Sequence, residues 1–168
     1  MVRRQQGDWI EAGFELLRAE GEQALTIERL CAALHLTKGS FYHHFKTMDV
    51  FRRVLLAVWL ERHTTTPIQQ AEHAATAREQ MLLLGEIVAR LDHRLDLAVR
   101  AWSFRNAEVR AAFDRVDRLR CASLEELYRR MDDADAEQHA RREYAEFVGR
   151  QCLGWLDAGW PALALLPG

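Results

Sequence analysis

The stretch from Thr26 to Lys46, TIERLCAALHLTKGSFYHHFK, constrains this chain more than any other. Thr26 is a residue type that caps a helix N-terminus. Ile27, Leu30, Cys31 and Leu34 fall at i, i+3, i+4 and i+7, so a short helix over about Ile27 to Leu34 buries one apolar face. His35 and Leu36 are left to make a tight turn. Thr37 then caps a second helix, about Lys38 to Phe45, in which Phe41 and Phe45 lie four apart and point one way. Lys38, Ser40, Tyr42, His43 and His44 face elsewhere. A short helix with Lys, Ser, Tyr and His on its open face, and free N–H groups at its start, suits the edges and phosphates of a DNA major groove. The alternative is a plain helical hairpin inside an all-α enzyme. Against it stands the placing of the lysines: the chain has only two, Lys38 and Lys46, and they bracket the second helix.

The same stretch resembles the DNA-binding domain of the tetracycline-repressor (TetR) family of transcriptional regulators. Thr26, Leu30, Leu36, Thr37, Gly39, Ser40, Phe41, Tyr42, His44 and Phe45 match its pattern, as does the lead-in Gly21 to Thr26. Three positions depart from it. Cys31 stands for the usual Ala, His35 for the usual turn Gly, and Met48 where the family often has Lys, with Lys46 two residues earlier. His35 is expected in the left-handed conformation, which His tolerates better than a β-branched residue does. The resemblance covers roughly the first third of the chain. It implies an all-α fold, with an N-terminal three-helix helix-turn-helix DNA-binding domain followed by a helical ligand-binding and dimerisation domain. It also implies contact with double-stranded operator DNA from Thr26, Thr37, Lys38, Gly39, Ser40, Tyr42, His43, His44 and Lys46. Within that set Lys46, just past the second helix, suits a phosphate. Lys38, in its first turn, suits guanine O6 and N7 or a second phosphate.

Composition agrees with an all-helical chain. The 168 residues fit one or two compact domains, 49% are apolar, and only three prolines interrupt them. Runs of alternating Val, Ile and Thr are missing. The net charge of −2 means that basic surface for nucleic acid has to be local. Arg3 and Arg4 open a short basic arm, Met1–Gln6, that is followed by polar residues and not by the apolar run of a signal peptide. No stretch approaches the ~18 apolar residues of a membrane span, so a cytoplasmic protein without membrane contact is expected. Cys31, Cys121 and Cys152 are odd in number and far apart, which favours reduced core or interface residues over a redox or metal site.

The remaining helices follow from periodicity. A first helix from Asp8 to about Glu20 carries Ile10, Phe14 and Leu17 and ends at Gly21. Thr47 caps a helix from about Met48 to His63, whose buried side is Phe51, Val54, Leu55, Val58 and Trp59. Thr64–Thr65–Thr66–Pro67 is expected to end it and to divide the chain into domains 1–66 and 67–168. Further helices are expected over about Ile68 to Leu91, Arg94 to Phe104, Asn106 to Met131 and Asp135 to Ala158, with the tail ALALLPG beyond. The last two long helices carry broad apolar stripes. The family pattern implies a homodimer through them, at Val116, Leu127, Tyr144, Phe147, Val148, Gln151 and Trp155, although both stripes could equally be internal. The resemblance further implies a pocket for an unidentified small-molecule effector. Candidate walls are Met81, Leu84, Trp102, Phe104 and Phe113, with Arg100 as a polar anchor; an aromatic stripe at this spacing also serves as plain core, and Asp96 and Arg100 could satisfy each other.

Catalytic constellations are missing from the sequence. His63, His73, His93 and His139 are scattered, and there is no HExxH motif, glycine-rich phosphate loop or serine nucleophile elbow. Asp132, Asp133 and Asp135 lack the glycine and closing Glu of a calcium loop. A non-enzymatic regulator without metal or cofactor is expected, most simply a repressor that an effector releases from a palindromic operator. The other class in view is an all-α ligand-binding or interaction protein without DNA binding.

Overall fold

The computed structural model describes residues 5–156, and those residues are helical with no strand among them. The helices are α1 (Gln6–Glu20), α2 (Ile27–Leu34), α3 (Lys38–His44), α4 (Met48–Leu60), α5 (Thr66–Ala71), α6 (Ala77–Val88), α7 (His93–Ser103), α8 (Ala107–Arg130) and α9 (Ala136–Cys152). A 3-10 turn, Glu22–Ala24, follows α1, and a π-helical turn, Glu61–Thr65, joins α4 to α5. Two compact units result. One takes the chain up to Trp59 together with Arg94–Ala112; the other takes Leu60–His93 together with the chain from Phe113 on. By compactness the chain therefore divides between Trp59 and Leu60, and the segment around α7 goes with the N-terminal helices.

The first unit has an aromatic core. Trp9, Phe41, Phe45, Phe51 and Trp59 are fully buried. Trp9 meets Phe41 edge-on with centroids 5.5 Å apart, and Phe45 meets Phe51 edge-on at 5.0 Å, the geometry that the ring quadrupole favours. α1 and α4 approach closely at Gly13, where an added Cβ would lie 2.7 Å from Phe51 Cζ and 3.0 Å from Leu55 Cδ1. Trp59 Nε1 donates to Asp96 Oδ1 at 3.2 Å, which fastens the end of α4 to the buried face of α7. Arg105 reaches Glu22 at 3.0 Å.

The second unit packs α5, α6, α9 and the C-terminal half of α8 around Ala71, Met81, Leu84, Leu127, Tyr128 and Ala140. Three expectations are corrected here. First, the helix does not stop at Thr64–Pro67. The backbone runs on through a π turn, in which the N–H of Thr66 bonds Glu61 O five residues back, and into α5. Pro67 has no N–H to add to the turn, and the Arg120 guanidinium brings donors to it, with Nη2 3.1 Å from His63 O and Nε 3.1 Å from Thr64 Oγ1. Second, the helix expected over Ile68 to Leu91 is two. Thr76 and Glu79 form a reciprocal capping box, with Glu79 N on Thr76 Oγ1 at 3.2 Å and Thr76 N on Glu79 Oε2 at 3.0 Å, and α6 starts there. Third, α9 ends at Cys152, short of Ala158. Gly154 takes φ +70° and the N–H of Trp155 returns to Arg150 O at 2.9 Å, a left-handed stop of the kind glycine permits. The tail ALALLPG and the residues 1–4 of the basic arm lie outside the described residues.

Candidate nucleic-acid interface

α2 and α3 are built by local chemistry. Thr26 caps α2 through Oγ1, which accepts from Arg29 N at 3.3 Å. α2 ends where His35 takes φ 55° and ψ 44°, the left-handed conformation expected of it, and Leu36 N closes the turn on Cys31 O at 2.9 Å. Thr37 caps α3 by accepting from Ser40 N at 3.3 Å, and the Thr37 and Ser40 hydroxyls sit 3.2 Å apart. Phe41 and Phe45 hold the inner side of α3 in the core, at 0% and 1% exposure.

The outer side of α3 carries the expected residues with different degrees of freedom. Thr37, Lys38, Gly39, Tyr42, His43 and Lys46 are exposed, and Tyr42 keeps 53% of its surface in solvent while its ring edge rests on Phe41. Ser40 and Thr26 are half-buried. His44 is half-buried too, with its ring 6.3 Å from that of Trp9 and 6.3 Å from that of Phe45, so it leans towards the core. An added Cβ at Gly39 would meet only Thr37 Oγ1, at 3.6 Å, so the chain itself leaves that spot open. Lys38 Nζ lies 2.5 Å from Glu28 Oε1, on the first turn of α2. Each charge holds the other in its ionised form: the hydrogen bond lowers the Glu28 carboxyl and raises the Lys38 ammonium. No helical spacing foretells that pair, because its members stand 10 residues apart on different helices. Arg52 pairs with Asp49 at 3.2 Å, and Arg53 with Glu108 at 3.3 Å.

The residues expected around an effector are not gathered in one place. Met81 and Leu84 line a cavity of about 110 Å³ in the second unit, with Pro67, Val88, Arg120, Glu143, Tyr144 and Phe147 among the other walls. Arg100, Trp102 and Phe104 belong to the first unit instead, and Phe113, though fully buried, is not a wall of this cavity. The reason is the fold: α7 packs with the N-terminal helices, and the walls come from elements far apart in sequence. Glu143 accepts from Tyr128 Oη at 2.5 Å at the cavity edge, and burial raises its pKa against that hydrogen bond. Burial likewise raises the Tyr128 hydroxyl.

Of the residues expected at a dimer contact, Val116, Leu127, Tyr144 and Gln151 are buried in the single chain, and Tyr144 Oη donates to Asp117 at 2.5 Å. Phe147 and Val148 are half-buried, and Trp155 is 61% exposed. Leu119 and Leu153, which lie outside the expected contact set, are exposed as well. Cys31, Cys121 and Cys152 form no disulfide. Among the described residues no three His, Cys, Asp or Glu side chains gather as a metal site, and no helix is long and apolar enough to cross a membrane.

Comparison with known proteins places the chain. The family model for bacterial regulatory proteins of the tetR family matches residues 10–53, which span most of α1 and all of α2 and α3. No curated protein matches the chain by sequence. Among solved structures, a TetR/AcrR family member superposes with a TM-score of 0.78 at 17% identity, over 91% of this chain and 88% of that one. The reduced form of NemR from E. coli gives 0.76 at 17% identity, again over 91% and 88%. A transcriptional regulator from Pseudomonas aeruginosa PAO1 gives 0.71 at 20% identity, over 92% and 80%. At these identities the structural likeness speaks for the fold, and the sequence match for the domain that carries α2 and α3. Together they give this chain a segment, residues 10–53, that matches the tetR family of bacterial regulatory proteins and holds the helix-turn-helix, on an all-α fold over the described residues.

Proposed function

We propose that the chain is a transcriptional regulator that binds a palindromic operator as a homodimer, acts as a repressor, and is released by a small organic effector. The observation that carries the DNA-binding part is α3 itself. Two buried phenylalanines fix its inner side, while Lys38, Tyr42 and His43 stand in solvent along it and Lys46 stands in solvent just beyond its end. In this reading domain 1–66 binds DNA, domain 67–168 carries the effector and dimer functions, and the protein works in the cytoplasm without catalysis. The dimer is supported by α9, where Ala145, Val148 and Cys152 recur at three- and four-residue spacing with none of them buried, and Trp155 follows in the open. The effector is supported by the mostly apolar cavity beside Met81 and Leu84.

Electrophoretic mobility shift of the full chain on the DNA flanking its own gene tests the reading. A discrete, salt-sensitive complex is expected. Lys46→Ala should weaken it about equally on operator and scrambled duplexes and should shrink the salt slope by about 0.9 for each phosphate it ceases to neutralise. No complex at low salt with any flanking fragment would refute the proposal, whatever the cavity binds.

A further inference from the structure

Lys38 is not presented alone. Its ammonium lies 2.5 Å from the Glu28 carboxylate, and both side chains are mostly in solvent, 59% and 64% exposed. Glu28 stands in the first turn of α2 and Lys38 in the first turn of α3, so the contact joins the two helices of the motif at the start of the reading helix. A carboxylate there is out of place if the only task is to meet phosphates, because like charges repel. It also cancels the local charge of one of the chain's two lysines. On a duplex of arbitrary sequence the pair is neutral, and a phosphate that meets Lys38 also meets the Glu28 carboxylate beside it, which repels it.

The edge of a G·C pair changes this balance. In the major groove guanine offers N7 and O6 as acceptors, and cytosine offers N4–H as a donor. O6 and N4 are hydrogen-bonded to each other, so they lie about 2.9 Å apart, close to the separation of the two charged groups. An ammonium over O6 and N7 and a carboxylate over N4 therefore each gain a partner without parting. An A·T pair also sets a donor beside an acceptor, but its purine gives the ammonium one acceptor where guanine gives two.

We infer that Glu28 and Lys38 form one donor–acceptor couple that reads a G·C base pair, with Lys38 on guanine and Glu28 on the cytosine amine, and that Glu28 is a specificity-determining residue because it withholds Lys38 from phosphate. The inference rests on the DNA-binding reading above and adds to it a residue and a base pair.

Selection of duplexes from a random pool by the full chain, followed by salt-titrated binding of variants, tests it. The selected duplexes should share one G·C pair per recognition helix, and replacing it should cost the native chain about tenfold or more in affinity. Glu28→Ala should bind scrambled DNA several-fold more tightly than the native chain. Its salt slope should be steeper by about 0.9, the value of one neutralised phosphate, and its preference at that one pair should collapse. The steeper slope should vanish when Lys38→Ala is added. Glu28→Gln keeps an acceptor for cytosine N4 but no charge, so it should share the steeper slope and retain part of the base preference. It also serves as the second variant should Glu28→Ala weaken α2, which circular dichroism reports. An unchanged slope and scrambled-DNA affinity in both Glu28 variants, an intact preference at every position, or an A·T pair at the Glu28-sensitive position would each overturn the couple. A native chain that selects no duplex at all would remove the DNA-binding reading, and the couple with it.

Discussion

Two glycines, one in each unit, show how differently the two units are filled. At Gly13 an added methyl would land 2.7 Å from Phe51, where two helices are pressed together. At Gly85, in the middle of α6 and on the cavity wall, it would meet nothing within 4 Å. Where α1 meets α4, the unit that carries α2 and α3 is tightly packed around aromatic rings, as a rigid support for an exposed helix should be. The other unit keeps vacant volume and a partly buried carboxyl, which cost stability and are retained where a site needs them. Adding or removing matter in each unit can therefore break or sharpen the contrast.

The largest effect is expected from Phe41→Ala. The ring is fully buried against Trp9, Phe45 and Phe51, and its removal should cost about 3–5 kcal/mol, read by urea denaturation. A cost below about 1 kcal/mol would mean that this core relaxes as easily as the cavity-bearing one. Gly13→Ala comes next. It should destabilise by about 1–3 kcal/mol through overpacking against Phe51 and Leu55; a neutral result would show that α1 and α4 can part. Tyr42→Phe tests the exposed side of the same helix as Phe41. With more than half its surface in solvent, the residue should lose about 0.5–1.5 kcal/mol of operator affinity with the hydroxyl and leave thermal stability unchanged. A fall in melting temperature with affinity intact would assign the ring to the core. The smallest effect has the opposite sign. Gly85→Ala should stabilise the chain by about 0.4–1 kcal/mol, since a helical glycine with free space gives up only its flexibility. Destabilisation there would mean that the space is spoken for.

The helix-turn-helix was legible because its rules are local. Thr26 and Thr37 are caps, apolar spacing sets the bounds of α2, and His35 had to turn left-handed where a glycine is usual. The later helices were legible in kind but not in extent. The T-x-x-E box at Thr76 and Glu79 was in the sequence and marks the start of α6, yet the apolar residues around it read as one long helix. Gly154 likewise ends α9 from within an amphipathic run. The cavity and the Glu28–Lys38 pair could not be read, because each depends on residues that only the tertiary fold brings together. Arg100, Trp102 and Phe104 were grouped with Met81 and Leu84 by their place in sequence, and they fall in the compact unit of the N-terminal helices.

The π turn has an evolutionary corollary. Pro67 brings no backbone donor to the turn and Arg120 brings donors to it from another helix, so the two positions, separated by 53 residues (120 − 67), serve one stretch of backbone. A lineage that replaced Pro67 by alanine would regain the backbone donor and lose the selective reason to keep a guanidinium at 120. Sequences of relatives should therefore show the two residues arriving and departing together, with arginine seldom lost first, because that order takes hydrogen bonds from the turn and returns none.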